Sequence, residues 1–290
     1  MVLNQTGLKG WSSLASLSPV FPNLKELYVA NNDLSDVDIV AMETSGAISE
    51  FNNLTLLDVS SCCLTAWSQV KAFGKMQNLE TLIVNDNKIT KTEKAEEGEF
   101  GNLKALQLSG SDVKEWESVD NLNSFHNLTA LRFNNCPLTG AMGASEARGI
   151  VVARVSLLDF LNASVVTGKE RGDAEKIYVR RVAREIQMAE QGGEGNGKMV
   201  MDKHPRYDEL KEVHNACMIP LGDGSGTQSL AQDTINVTIH SMAAASCTVE
   251  PMKKRVPSGL QVGKLKQMCK RHFKLDVDLQ VLHFKADKGR

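Results

Sequence analysis

The first half of the chain carries a repeated pattern of leucines. Each copy opens with an Asn-Leu pair and continues as Leu-x-x-Leu-x-[Leu/Val/Phe]-x-x-[Asn/Cys/Ser]-x-[Leu/Ile/Val]. Successive copies start 30, 25, 24 and 25 residues apart, at Asn23, Asn53, Asn78, Asn102 and Asn127. This spacing is typical of leucine-rich repeats, with one longer insert between the first and second copies. We therefore predict a solenoid.

The leucine-rich stretch of each copy predicts a short strand, and strands of successive coils are expected to stack as a parallel sheet. Because one coil cannot bury its own leucines, its neighbours must complete the core. The polar turn residue, Asn32 or Asn87, is expected to bond backbone groups that the turn leaves unpaired. Cys62 and Cys136 occupy the same position, so we expect these thiols to be structural.

The variable residues between the strand leucines are predicted to face the concave side of the solenoid. The central row contains Tyr28, Asp58, Ile83, Gln107 and Arg132. The row on one side contains Glu26, Leu56, Thr81, Ala105 and Ala130, and the row on the other contains Ala30, Ser60, Asn85, Ser109 and Asn134. Aromatic, apolar and charged residues are mixed here, and solenoids use this face to hold partners. We predict a protein-binding surface, with a merely solvated sheet face as the alternative.

The ends of the solenoid have their own patterns. Leu3, Thr6, Leu8 and Trp11 resemble the end of a repeat, so the natural protein is expected either to extend before Met1 or to be short. An apolar run from Ile150 to Leu161 is expected to close the other edge. The next segment, 169–191, has helical spacing and predicts a C-terminal cap. Its predicted inward residues are Ala174, Ile177, Tyr178, Val182, Ile186 and Ala189.

The glycine-rich segment 192–199 resembles a phosphate-binding loop only in part. Met199 stands where a hydroxyl residue would hold magnesium, and a helix rather than a strand is predicted before it. We therefore expect a flexible insert and no nucleotide site. The following segment, His204–Leu210, is expected to pack back on the end of the solenoid.

The last quarter of the chain predicts a second domain. A Gly/Ser-rich stretch at 221–226 indicates a boundary, which gives a solenoid with cap at 1–215, a linker at 216–231 and a domain at 232–290. Two extended stretches are predicted, with Ile235, Val237 and Ile239 in the first and 247–256 forming the second. Between Pro251 and Arg290 there are eleven Lys and Arg against three Asp and Glu, which indicates a solvated basic face or an acidic partner.

A helix at 262–273 and a strand at 279–284 are predicted to follow. The helix is expected to turn inward Val262, Leu265, Met268, Cys269 and Phe273. Hairpin, helix and strand form the first part of a ubiquitin-like β-grasp, and the chain ends before the final strands of that fold. The predicted fold class is thus α/β, a leucine-rich repeat solenoid with a helical C-terminal cap followed by a partial ubiquitin-like domain.

Composition and residue spacing argue against several classes of function. The net charge of −2 argues against a general nucleic-acid binder. The six cysteines and six histidines show neither metal-ligand nor disulfide-framework spacing. No triad or Cys/His pair can be inferred, so we expect no catalytic residue, metal or cofactor. There is no basic and apolar leader and no run long enough to span a bilayer, which predicts a cytoplasmic protein without membrane contact.

Several motifs together resemble one family. They are the leucine-rich coils with Leu64-x-x-Trp67, Leu161-Asn162-x-Ser164, Glu170-Arg171-x-x-Ala174-Glu175-x-x-Tyr178, His204-Pro205-Arg206-Tyr207 and the ubiquitin-like tail. The chain thereby resembles tubulin-folding cofactor E and its shorter E-like relative, well over residues 3–215 and more loosely over 230–285. The Glu-Arg-x-x-Ala-Glu-x-x-Tyr and His-Pro-Arg-Tyr pieces are the specific part, since generic leucine-rich proteins lack them.

The resemblance implies a chaperone, associated with the cytoskeleton, that binds α-tubulin and takes part in assembly and disassembly of the tubulin heterodimer. It also implies contact with other tubulin-folding cofactors and no catalytic residues of its own. Nothing in the sequence matches the CAP-Gly domain with which cofactor E grips the acidic tubulin tail. The sequence leaves open a fragment of cofactor E or an E-like protein. A leucine-rich scaffold or phosphatase-regulatory protein with another partner is the alternative function.

Overall fold

A computed structural model describes residues 1–15, 18–37, 51–193, 195–214, 234–242, 249–257 and 262–283. The chain forms two compact units, Met1–Ile219 and Pro220–Arg290. The predicted linker at 216–231 lies outside the described residues.

The first unit is built on a seven-stranded sheet to which each repeat adds one short strand. The strands are β1 (Glu26–Tyr28), β2 (Leu56–Asp58), β3 (Thr81–Ile83), β4 (Ala105–Gln107), β5 (Ala130–Arg132), β6 (Phe160–Leu161) and β7 (Ser164–Val165). They follow chain order, and β1 to β6 are parallel, as the repeat predicts. The N-terminal segment stacks on β1, where Val2 forms a parallel bridge with Tyr28.

Burial in the strands alternates with the two faces of the sheet. The middle residue of each of the five repeat strands is a leucine that is at most 2% exposed: Leu27, Leu57, Leu82, Leu106 and Leu131. Short helices return the chain on the side opposite the strands: α1 (Trp11–Ala15), α2 (Trp67–Gly74), α3 (Trp116–Asn121) and α4 (Pro137–Gly140). Trp11 and Trp67 are buried against phenylalanine rings there. The tryptophans at the repeat ends therefore pack between coils.

Asn87 joins two coils through its side chain. Its Oδ1 accepts hydrogen bonds from the backbone N–H groups of Cys62 and Leu64 in the preceding coil, each at 3.0 Å. Its Nδ2 donates to the carbonyls of Val59, in that coil, and Val84, in its own, at 2.9 and 3.0 Å. Because Asn87 is 2% exposed, these backbone groups have no access to water. The predicted structural role of the turn asparagine is confirmed.

Other residues at the same turn position do part of this work. Asn32 makes an equivalent set of bonds with the N-terminal segment. The Cys62 thiol donates to the carbonyl of Val29 at 3.2 Å, and the Cys136 thiol lies 3.1 Å from a threonine hydroxyl. Ser111 is buried, and its hydroxyl has no hydrogen-bond partner among the described residues. The asparagines bridge two coils, the Cys62 thiol does so through one bond, and the Cys136 thiol and the Ser111 hydroxyl make no such bridge among the described residues.

Four further helices form the predicted cap, the first between β5 and β6 and the others after β7. They are α5 (Ala144–Arg154), α6 (Gly168–Gln191), α7 (Asn196–Met201) and α8 (Tyr207–Val213). The predicted inward face of α6 is wrong at Ile177, which is 66% exposed, whereas Val179 is 1% exposed. At about 100° per residue, Val182 lies between Tyr178 and Val179 on the buried side, whereas Ile177 lies on the other side of Tyr178. Tyr207 and Leu210 are buried against this side, so the predicted packing of 204–210 on the solenoid end is confirmed.

The prediction of a flexible glycine-rich insert is wrong, because Asn196–Met201 form helix α7 against α6. Gly195 precedes α7 with φ of 88°, a conformation that favours glycine. A Cβ on Gly197 would lie 2.8 Å from the carboxylate of Glu190, so its missing side chain permits close packing. These glycines serve a sharp turn and a close approach.

The second unit contains an antiparallel pair, β8 (Thr234–Ile239) and β9 (Met252–Pro257), and helix α9 (Val262–Phe273). Met252, Cys269 and Phe273 form its buried cluster. Val262 is 61% exposed, so its predicted inward position is wrong.

The strand predicted at 279–284 is also absent over its described part. Val277–Leu279 form a 3₁₀ turn, residues 280–283 form no strand, and Phe284 lies outside the described residues. The backbone N–H of Leu279 bonds to the carbonyl of Asp276 at 3.1 Å, so that the hydrogen bonding closes locally instead of across a ladder.

Replacing Asn87 with alanine tests the bridge between coils. Asn87→Ala leaves up to four buried backbone groups without a partner, so we expect the free energy of unfolding to fall by about 2–4 kcal/mol. Urea denaturation measures the change. Asn102→Ala is the control, because that exposed side chain makes a single bond, to the carbonyl of Gln77 at 2.7 Å. Equal losses in the two variants would contradict the buried bridge.

Candidate functional site

The strand register brings the five predicted central residues together in one row. Tyr28 pairs with Asp58, Asp58 with Ile83, Ile83 with Gln107 and Gln107 with Arg132. Neighbouring strands lie about 4.8 Å apart, so the row crosses roughly 19 Å of sheet. The first four side chains are half-buried and Arg132 is exposed. The structure thus assembles residues from five separate coils into one continuous surface.

The two flanking rows are also in register. Glu26, Leu56, Thr81, Ala105, Ala130 and Phe160 are successive partners on one side. On the other side, the backbone ladder continues through the carbonyls of Ser60, Asn85, Ser109 and Asn134. Apart from Ala30, which is buried at 6% exposure, the candidate residues of the concave face lie in the rows that the sequence predicts. Whether this face binds a partner is a separate question.

Hydrogen bonds within the face hold several of its polar side chains. The Tyr28 hydroxyl donates to Glu26 at 3.1 Å, and this bond raises the pKa of Tyr28. The side-chain amide of Asn85 donates to the side-chain oxygen Oε1 of Gln107 at 3.2 Å. The side chain of Arg132 makes no hydrogen bond or ion pair with any described residue. The end of the row at Arg132 consequently offers an uncompensated cation.

Sequence analysis missed the apolar end of this surface. Phe160 continues the Glu26 row and is 47% exposed, and its antiparallel partner Val165 is 57% exposed. Leu157 nearby in sequence is also exposed. The spacing of Leu158 and Leu161 repeats the Leu-x-x-Leu of the earlier copies, so this signal could have identified a sixth coil.

The cap contains a buried ion pair between Arg154 and Asp120. Their side chains are 3% and 11% exposed, and the guanidinium Nη1 lies 2.6 Å from the Asp120 carboxylate. The guanidinium also lies over the rings of Trp116 and Tyr178, 5.2 and 5.4 Å from their centroids. Burial raises the pKa of Asp120, against the lowering effect of Arg154. This pair ties the fourth coil to the cap.

His204 completes this cluster, and its surroundings indicate its tautomer. Its Nδ1 lies 3.0 Å from Nη2 of Arg154 and 2.7 Å from the Tyr178 hydroxyl. Because arginine only donates, Nδ1 is assigned as the acceptor and Nε2 as the N–H that faces Glu185 at 3.2 Å. Burial, followed by the Arg154 charge, lowers the pKa of His204. Burial also raises the pKa of Tyr178 to about 12, so its hydroxyl stays a donor.

The motifs on which the predicted resemblance rests connect the helices of this cap. Arg171 donates to the carbonyls of Val152 and Val155 at 3.0 and 3.1 Å, which satisfies the end of α5. Arg206 donates to a third carbonyl of α5, that of Ala153, at 2.6 Å. Glu175 lies 3.8 Å from Arg206, and its other oxygen lies 2.8 Å from His214, directly after α8. These motif residues thus join α5, α6 and α8.

The part of the chain that the structure describes gives no support for a metal site or for a reactive thiol at Cys62. No group of three or more His, Cys, Asp or Glu side chains could hold a metal ion there. Burial raises the pKa of Cys62 to about 11, so its thiol stays protonated at neutral pH. Among the same residues, no helix is long and apolar enough to cross a membrane.

Lowering the pH is expected to destabilise the cap through His204. Its pKa is lower in the folded chain than the unfolded value of about 6.5, so the unfolded chain binds more protons below that pH. Stability should therefore be highest above about pH 6.5 and fall as the pH drops towards the folded pKa. Urea denaturation of the wild type and of His204→Gln across this range measures the effect.

His204→Gln should lose less stability than the wild type over the same acid range. The exposed His126 supplies the control, and His126→Gln should keep the wild-type pH dependence. A pH dependence of His204→Gln identical to that of the wild type would show that His204 is not the titrating group.

Comparison with known proteins extends these observations. The leucine-rich repeat family model matches residues 67–191. Tubulin-folding cofactor E of Arabidopsis thaliana is 30% identical, over 95% of this chain and 52% of its own length. Tubulin-specific chaperone E of Xenopus laevis is 24% identical, over 99% of this chain and 55% of its own length. The human tubulin-specific chaperone cofactor E-like protein is 30% identical, over 62% of this chain and 42% of its own length.

The chain thus spans about half the length of the curated chaperone E relatives it matches. A chain in the crystal structure of the Drosophila melanogaster SNF/U2A′ complex is 20% identical, with a TM-score of 0.40 over 46% of this chain and 72% of that chain. That match is too distant to carry an argument. The resemblance indicated by the sequence motifs is confirmed: the chain is a leucine-rich repeat protein similar to tubulin-folding cofactor E and its E-like relative.

Proposed function

We propose that the chain acts as a tubulin-folding cofactor whose concave sheet binds α-tubulin. The observation that carries the proposal is the similarity to tubulin-folding cofactor E over 95% of the chain. We further propose that it takes part in assembly and disassembly of the tubulin heterodimer, in the cytoplasm and together with other tubulin-folding cofactors. In this role it needs no catalytic residue, because binding alone shifts an assembly equilibrium.

The composition of the concave face supports binding of a protein. Tyrosine and arginine dominate the energetics of many protein interfaces, and here Tyr28 and Arg132 lie at opposite ends of the central row. Exposed Phe160 adds an apolar anchor at the Arg132 end. The half-buried polar residues between them already form hydrogen bonds within the face. Binding of a partner would therefore order few additional side chains, which keeps the entropic cost of binding low. An extended partner surface could therefore be held at two anchored ends.

The second unit is proposed to be a ubiquitin-like β-grasp. Its support is the order of hairpin and helix, with Phe273 of α9 and Met252 of β9 in one buried cluster. The missing strand over 280–283 weighs against a complete fold of this kind within the described residues. Its exposed Lys253 and Lys254 give this unit a basic surface that would suit an acidic partner.

A leucine-rich scaffold or phosphatase-regulatory protein is the second candidate. It would use the same concave face for a partner other than tubulin. The 24- to 30-residue repeat spacing and the cap motifs favour the tubulin cofactor, since the alternative class has more regular repeats near about 22 residues.

Binding to purified αβ-tubulin tests the proposal. The Tyr28→Ala/Arg132→Glu double variant removes an aromatic anchor and reverses the uncompensated cation, so we expect its affinity to fall at least about tenfold. Phe160→Ser should weaken binding in the same direction because it removes the apolar anchor. Gel filtration detects the complex, and fluorescence anisotropy with labelled tubulin gives the affinity.

Lys114→Glu is the matched control, because this exposed residue lies outside the strands and its substitution changes the charge as much as Arg132→Glu does. Its affinity should equal that of the wild type. If the double variant binds tubulin as tightly as the wild type does, the contact lies outside the concave face. No binding by the wild type would overturn the tubulin proposal and favour a scaffold with another partner.

A further inference from the structure

Helices α5 and α6 of the cap enclose an open groove that none of the roles above uses. Its volume is about 870 Å³. Gly149 and Ile150 of α5 line one side, and Ile177, Arg184 and Met188 of α6 line the other. The groove lies on helices after the repeats, whereas the concave face is formed by the strands.

The groove exposes apolar side chains that the cap does not need. Ile177 is 66% exposed and Met188 is 72% exposed, on the same side of α6. These residues are eleven positions apart in the sequence, which is about 16 Å along a helix. A paired apolar stripe of three helical turns matches the anchor spacing of an amphipathic helix lying in a groove.

Two arginines beside this stripe have no counter-ion among the residues that the structure describes. Arg181 is neutralised, because it lies 2.7 Å from Glu146 of α5 and 3.0 Å from Glu185 of α6. The side chains of Arg180 and Arg184 make no hydrogen bond or ion pair with any described residue. The two acids that line the groove are thus engaged by Arg181, with Glu185 also facing His204, and two arginine charges remain free.

Gly149 leaves open space on the α5 side of the groove. It lies inside α5, where glycine lowers helix stability relative to alanine. A Cβ built on it would meet nothing within 4 Å, so tight packing within the described chain does not require a glycine there. The missing side chain instead leaves space for an atom of a bound partner.

We propose that this groove binds an acidic amphipathic helix of a partner protein. The apolar side of that helix would lie over Gly149 between Ile177 and Met188. Its carboxylates would pair with Arg180 and Arg184. This surface is additional to the proposed concave site and does not depend on it, so the cap would let the protein hold a second partner.

A synthetic helical peptide is the probe. It has about 15 residues, with leucines every three to four positions on one face and glutamates beside them. A control peptide has the same composition, with the leucines scattered round the helix. Fluorescence anisotropy of labelled peptides with the full chain should show saturable binding of the first peptide and at least tenfold weaker binding of the second. Equal binding of both peptides would reduce the effect to charge attraction and overturn the proposal.

Two variants then locate the binding. Arg180→Glu/Arg184→Glu should weaken peptide binding at least about tenfold, because both free cations become repulsive. Gly149→Leu should abolish peptide binding, because the leucine side chain would fill the α5 side of the groove. The thermal unfolding midpoint of Gly149→Leu should not fall, because the position has room and leucine is the better helix former.

The control is Lys88→Glu/Lys114→Glu, which makes the same change in charge at two exposed positions of the repeats. Its peptide affinity should be within twofold of the wild type, and an equal loss would overturn the site. Sedimentation velocity of the chain alone tests another occupant. Self-association that Gly149→Leu abolishes would assign the groove to a second copy of this chain and overturn the proposed partner.

Discussion

The structure depends on buried backbone groups that only an adjacent coil can satisfy. Each turn of the solenoid leaves N–H and C=O groups facing the core, and the Asn87 side chain pairs such groups from two coils at once. Leaving one buried polar group unpaired costs about 1–3 kcal/mol, so a single coil is unstable by itself. This requirement fixes the distance between coils and hence the register of the strands. The concave rows are in line because the turns behind them are bonded together.

The last coil poses a different problem, because no further repeat covers it. Helix α5 ends against this coil, and its final carbonyls accept hydrogen bonds from Arg171 and Arg206. A buried charge is tolerated only with a partner, which explains why Arg154 needs Asp120, two aromatic rings and His204 around it. The cap therefore adds directional contacts of charged side chains to its apolar cluster, whereas the repeats combine leucine packing with backbone pairing.

This difference decides how much could be predicted from sequence. The repeats follow a periodic rule, so the strands, the concave rows and the role of Asn87 were all predictable from spacing. The sequence does not predict Phe160 on the concave face, although its neighbours keep the leucine spacing. The reason is that α5 interrupts the polar turn pattern of the repeats. Ile177 was assigned to the wrong side of α6 because hydrophobicity alone does not show which face a helix buries. The contacts among Arg154, Tyr178 and His204 join residues up to 50 positions apart, and no local pattern encodes such pairing.

The same reasoning implies that the cap restricts its residues more narrowly than the repeats do. A leucine can be exchanged for another apolar residue of similar volume at modest cost, so repeats of unrelated proteins look alike. Arg154 offers five donors in a fixed plane, and Asp120, the carbonyl of Lys203 and Nδ1 of His204 must each lie where that plane points. Changing one member leaves a buried charge or donor without its partner, which costs more than repacking a leucine. A network of this kind therefore restricts its residues by identity as well as by hydrophobicity, and it does so on the helices that border the groove between α5 and α6.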